Sequence, residues 1–132
     1  MLRFLRARKF NLDRAVQLYV NYYKYKHKFR HLLVNFHPKY VTNVLEAGLF
    51  GVLESAMKDS SRVVCVVPAR WDYSTVPPND PFKTFLMILE KLVENEEVQV
   101  HGVSVLDNME GASWHLTYAF LCCEQTQKGA LI

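Results

Sequence analysis

Residues 62–67 read RVVCVV, one cation followed by five apolar side chains without alternation. A strand apolar at consecutive positions is covered on both faces, the pattern of parallel sheet. Downstream, Phe82, Phe85, Leu86, Leu89, Leu92 and Val93 recur at helical spacing. Their helix is expected from Pro81 to about Glu97, with Asn79 or Asp80 as its cap and Pro81 at the first helical position. VQVHGVSVL then reads as a strand. Strand, helix and strand over short connections make a βαβ unit, which requires parallel pairing and a right-handed crossover. The fold class is therefore α/β. LFGVLES, ahead of RVVCVV across the polar turn AMKDSS, adds a further β-like segment.

The first forty residues differ in kind. LRFLRA contains good helix formers and neither Gly nor Pro. Asn11 is placed to cap a second helix over about Leu12–Phe29, with Asp13 in its first turn. Ala15, Leu18, Tyr19, Tyr22, Lys26 and Phe29 fall near one face of it. His37-Pro38 marks a break, and KYVTNVLEAG predicts a short helix closed by Gly48.

Charge follows the same division. Residues 1–40 carry ten Lys/Arg against one acid, and residues 41–132 carry six against twelve. A nucleic-acid binder would carry a basic surplus without so large an acidic counterpart. Two uses of the basic segment remain: packing on the acidic remainder, or facing an anionic membrane. The three acids in ENEE (residues 94–97) would sit at a helix end where the dipole disfavours them, and nothing local explains that.

Several chemistries are weakly supported. There is no G-x-G-x-x-G and no Gly-Lys-Ser/Thr phosphate loop. Gly111 and Ser113 fit part of a hydrolase nucleophile elbow, but His115 replaces its last glycine, and Ser113 reads more simply as a helix cap. His27 and His31 lie four apart on a Lys-rich helix end without a third ligand, so no metal is expected. Tyr19, Tyr22, Tyr23 and Tyr25 follow helical periodicity, which favours packing over base stacking. Cys65, Cys122 and Cys123 offer no disulfide framework, no apolar run is long enough to span a bilayer, and a cytosolic protein is expected. Half the residues are hydrophobic, which suits either a core or an apolar cavity; composition by itself favours the core.

LRFLRARKFNLDRAVQLYVNYYKYK, HPK, EAGLFGVL, RVVCVVPARWD and FLMILEKLVENEEVQVHGVSVLDNMEG, in this order and spacing, resemble the CRAL-TRIO family. The likeness is strongest to its α-tocopherol transfer and cellular retinaldehyde-binding members. It implies a helical N-terminal subdomain (1–40, its C-terminal part) followed by the first half of a lipid-binding lobe with mixed or parallel βαβ sheet (41–132). It implies a non-enzymatic protein, without cofactor, that binds a small tocopherol- or retinoid-like lipid and transfers it inside the cell. Phosphoinositides would assist docking at an anionic membrane, and the protein would be cytoplasmic, peripherally membrane-associated and monomeric at full length.

The implied pocket wall, which reverses the preference for an ordinary core, falls on Val64 and Val66, on Phe82, Phe85, Leu86 and Leu89, and on Val103 and Val105. Arg8 matches a cation of the family's phosphoinositide-facing surface, while the other arginines brace the helices against the acidic lobe. A lipid-sensing module without transfer is the alternative, and a Ser113-dependent esterase a more distant one. Later strands, a gate helix and downstream basic residues of the family have no counterpart here, so the chain is expected to be part of a longer protein.

Overall fold

The computed structural model describes residues 1–113 apart from 32, 55, 56 and 73. Two helices open the chain, α1 (Leu2–Ala7) and α2 (Leu12–Lys28). Asn11 caps α2 as expected, its side-chain oxygen accepting from Arg14 N at 3.0 Å. Phe4 is buried between the Tyr19 and Tyr22 rings, at 5.3 and 5.4 Å in edge-on contacts, and Ala15 has no exposed surface. Of the tyrosines of α2, Tyr22 and Tyr25 are half-buried, while Tyr19 and Tyr23 remain exposed and contact neighbouring rings.

The segment after His37 divides in two: a 3₁₀ turn at Pro38–Tyr40, then α3 (Thr42–Glu46). Gly48 follows with φ of +68°, and a Cβ there would stand 2.6 Å from Arg70 Nη1. The left-handed backbone favours glycine, and any larger residue would also have to displace the end of the Arg70 side chain.

Three strands form one sheet in the order β1 (Phe50–Val52), β2 (Arg62–Val66) and β3 (Val103–Asp107). β1 pairs with β2 antiparallel, and β2 with β3 parallel, from Arg62 opposite Val103 to Val66 opposite Asp107. The mixed α/β sheet and the βαβ unit are as the sequence predicts. Coverage of the two faces is unequal. Val64 and Val66 are fully buried in a core with Val41, Val44, Leu49, Phe50, Trp71, Val76 and Phe85. On the other face Val63 is buried, Cys65 is half-buried and Leu106 is exposed.

The crossover departs from the sequence expectation. α4 runs Asn79–Leu92, starting ahead of Pro81, and stops short of Glu97. A separate helix, α5 (Glu96–His101), follows, with the Asn95 side chain accepting from Glu97 N at 2.8 Å. Val98–His101 is therefore helical, and β3 begins only after Gly102 (φ +84°). This explains two of the three acids in ENEE: Glu96 and Glu97 occupy the first turn of a new helix, where the dipole favours acids, while Glu94 pairs with Lys91. The helix expected from Ser113 onward, with Cys122 and Cys123, lies outside the described residues.

Candidate functional site

The helical spacing of α4 aims Phe82, Phe85, Leu86 and Leu89 to one side, since residues three and four apart share a face. Opposite them stand α1, α2 and the segment that follows α2, and between lies a cavity of about 720 Å³. That volume is in the roughly 300–1,000 Å³ range of small-molecule sites. Val103 and Val105 of β3 and Trp71 contribute to the wall.

Six residues singled out in the sequence, Phe82, Phe85, Leu86, Leu89, Val103 and Val105, meet at this cavity. Val64 and Val66 do not line it. They share a sheet face with β3, Val64 standing opposite Val105, but they are buried in the core with Val41, Val44, Leu49, Phe50 and Phe85. Phe85 serves both regions: its ring stacks on Phe50 at 5.7 Å while it lines the cavity. Period-two spacing gives the face a strand residue points to, and the side chains packed on that face decide whether space remains there.

The sequence reading missed the opposite wall, to which Leu18, Tyr22 and Tyr25 of α2 contribute, with its C-cap Phe29 and with Leu33 and Phe36 after it. The signal was present, because positions 18, 22, 25 and 29 follow helical spacing. It was read as a face packed on its own domain.

Polar groups gather at Glu90 of α4, which also lines the cavity. Its carboxylate accepts from Arg3 Nη1 at 3.3 Å, from Lys26 Nζ at 3.0 Å and from the Tyr22 hydroxyl. Burial would raise the Glu90 carboxyl, but the hydrogen bonds from Tyr22 and Lys26 and the charges of Lys26 and Arg3 outweigh it, holding the group below the usual carboxylate range. Burial likewise would lower the Lys26 ammonium, and its contacts with Tyr22 and Glu90 hold it above its ordinary value. Arg6 reaches across to α5, donating to Gln99 Oε1 at 2.7 Å and pairing with Glu96 at 3.2 Å. The arginines of α1 thus bridge to the acidic part of the chain.

Arg8 follows α1, half-buried, makes no ion pair among the described residues and does not line the cavity, although its neighbours Ala7 and Lys9 do. Ser113 is exposed and away from the cavity wall, and His115 is outside the described residues. Among the described residues no three His, Cys, Asp or Glu side chains gather as metal ligands, and no helix is long and apolar enough to cross a membrane.

No family model matches the chain. It is similar to the human protein named alpha-tocopherol transfer protein-like, 39% identical over 113 residues, which is 86% of this chain and 33% of that protein. It is also similar to rat clavesin-1, 33% identical over 104 residues (77% of this chain, 29% of clavesin-1). Rat clavesin-2 is 30% identical over 110 residues, 81% of this chain and 34% of clavesin-2. The chain spans about a third of the length of the curated relatives it matches. By its similarity to these relatives, the chain belongs to the CRAL-TRIO family.

Proposed function

We propose that the protein containing these residues binds a small hydrophobic lipid of tocopherol or retinoid type and transfers it between membranes, without catalysing a reaction. The observation carrying this reading is the apolar cavity walled by Phe82, Leu86 and Leu89 of α4 and by α2. An apolar molecule placed there gains about 25 cal/mol for each Å² removed from water. The relatives include proteins named for α-tocopherol transfer, which supports the same reading.

Docking of a cytoplasmic carrier at anionic, phosphoinositide-bearing membranes is the second part. Arg8, free of ion pairs among the described residues, is the residue assigned to it, each cation near such a surface contributing about 1 kcal/mol. Arg8→Glu is expected to weaken binding to phosphoinositide vesicles at low salt without changing lipid affinity. Unchanged vesicle binding would remove Arg8 from the docking surface. In these terms residues 1–40 form the docking and roofing part, and residues 41–132 the lipid lobe.

Transfer of a fluorescent tocopherol analogue from donor to acceptor vesicles tests the main reading. Accelerated transfer that is lost in Leu86→Asp supports it. Binding without transfer would favour a lipid sensor, and the absence of both would sink the proposal.

A further inference from the structure

α2 carries a second apolar stripe, which the cavity does not use. Leu12, Val16, Tyr19, Val20 and Tyr23 follow helical spacing on a side of the helix away from Leu18, Tyr22 and Tyr25. All five are exposed, Leu12 by 63% and Tyr23 by 50%, and none lines the cavity. A contiguous apolar stripe bordered by polar groups marks an interaction surface. Its rings are held from beneath: Tyr23 meets Tyr19 at 4.8 Å and Tyr22 at 5.1 Å, and Tyr19 meets the buried Phe4 at 5.3 Å. Rings fixed in this way lose little freedom on docking. Charge selects what docks. Tyr19, Val20 and Tyr23 share a surface depression with Lys24, His27 and Lys28, and no acid lines it. Lys24 and Lys28 make no ion pair among the described residues. Asp13, in the first turn, is the one acid of α2.

We infer that this face of α2 lies on an anionic membrane, with Tyr19, Val20 and Tyr23 at the boundary of head groups and acyl chains and Lys24 and Lys28 reaching the lipid phosphates. This rests on the membrane docking proposed above and names an apolar surface for it beyond Arg8. A helix lying in the plane of a membrane has this division, with apolar side chains along one face and basic ones beside it. Tyrosine suits the boundary because its ring is apolar and its hydroxyl is polar. The lysine stems cover apolar surface while their ammonium groups stay in the head-group layer. A second copy docking here through a two-fold axis would instead bring the same lysine-bearing patch against itself, at a cost in like-charge repulsion.

Co-sedimentation of the full chain with phosphatidylcholine vesicles, with and without phosphatidylserine, tests the inference. Phosphatidylserine is expected to strengthen binding. Tyr23→Ser is expected to weaken it about tenfold, the effect of withdrawing roughly half a large apolar side chain from the membrane. Tyr23→Trp should keep it, because an indole also suits the boundary. Val20→Ser, at a position without ring contacts, provides a second measurement, and thermal unfolding checks that each variant folds. Lys24→Gln combined with Lys28→Gln should weaken binding at low salt and flatten its salt dependence. Vesicle binding unchanged in Tyr23→Ser, Val20→Ser and the double lysine variant would overturn this face but leave docking through Arg8 standing. A chain that binds neither kind of vesicle would overturn both. A dimer in sedimentation equilibrium that dissociates in Tyr23→Ser would assign the face to a second copy and overturn the inference.

Discussion

Lys26 of α2 and Glu90 of α4 meet across the cavity, with Nζ 3.0 Å from Oε1. Arg3 and Tyr22 converge on the same carboxylate, so Glu90 ties α1 and α2 to the βαβ unit. Because the folded protein holds the carboxyl below its ordinary value, ionised Glu90 stabilises the fold. That contribution is fully present above the unfolded-state carboxyl value, about 4.3, and is lost as pH falls through the lower folded value.

Glu90→Gln is expected to lower stability at pH 7 by about 1–2 kcal/mol, since it leaves two partly exposed cations without their carboxylate. It should also flatten the acid limb of the stability curve. Thermal unfolding between about pH 3 and 7 measures both effects, the acid limb being set by the carboxyl titration described. An identical acid limb in the variant would show that Glu90 does not hold the helices down.

Phe85 and Leu86 are adjacent on α4 but separate stability from binding. Phe85 is 8% exposed and stacked on Phe50, so Phe85→Ala is expected to cost about 3–5 kcal/mol and to be read by chemical denaturation. Leu86 is half-buried on the cavity wall, and Leu86→Ala should cost less than half as much while weakening lipid binding several-fold. Equal stability losses would place Leu86 in the core.

The turn between α1 and α2 stores backbone strain at Lys9. Phe10 N donates to Leu5 O at 2.8 Å and Lys9 N to Arg6 O at 3.0 Å, the paired bonds of a Schellman helix end. Lys9 holds φ of +49° at the position where such ends prefer glycine. Lys9→Gly should raise stability by about 0.5–1 kcal/mol, and Lys9→Ala should not. Calorimetry of the two variants distinguishes backbone relief from loss of the cation.

The break between α4 and α5 depends on Asn95. Asn95→Ala should destabilise by about 1 kcal/mol, and Asn95→Asp, which keeps an acceptor oxygen, should cost much less. Because α5 carries Gln99, the partner of Arg6, hydrogen exchange of α1 amides should accelerate in Asn95→Ala. Unchanged exchange would mean that α1 is held by its other contacts.

Local signals carried much of this fold. The Asn11 cap, the glycine end at Gly48, the strand RVVCV and the apolar stripe from Phe82 to Leu89 are each set by a few neighbouring residues, and each forms where the sequence places it. The sequence was misleading over Val98–His101, whose alternation of Val with polar residues suits a strand as well as a short helix. Asn95 before that segment and Gly102 after it supply the local punctuation for a helix, and a reading by periodicity gave them too little weight.

By itself, then, the sequence determined most of the element types, the parallel βαβ connection and the inward face of α4, because periodicity, caps and turn residues act over a few positions. It also determined that cations of the first forty residues face an acidic remainder, since unlike charges at this density attract wherever the chain brings them together. Tertiary structure alone decided that Val64 and Val66 are sealed in the core while Val103 and Val105 border open space. It alone brought Arg3, Tyr22 and Lys26 to one carboxylate and made α2 a cavity wall. Those outcomes depend on how far helices and sheet stand apart, a distance set by all the side chains between them and written in no short stretch of the chain.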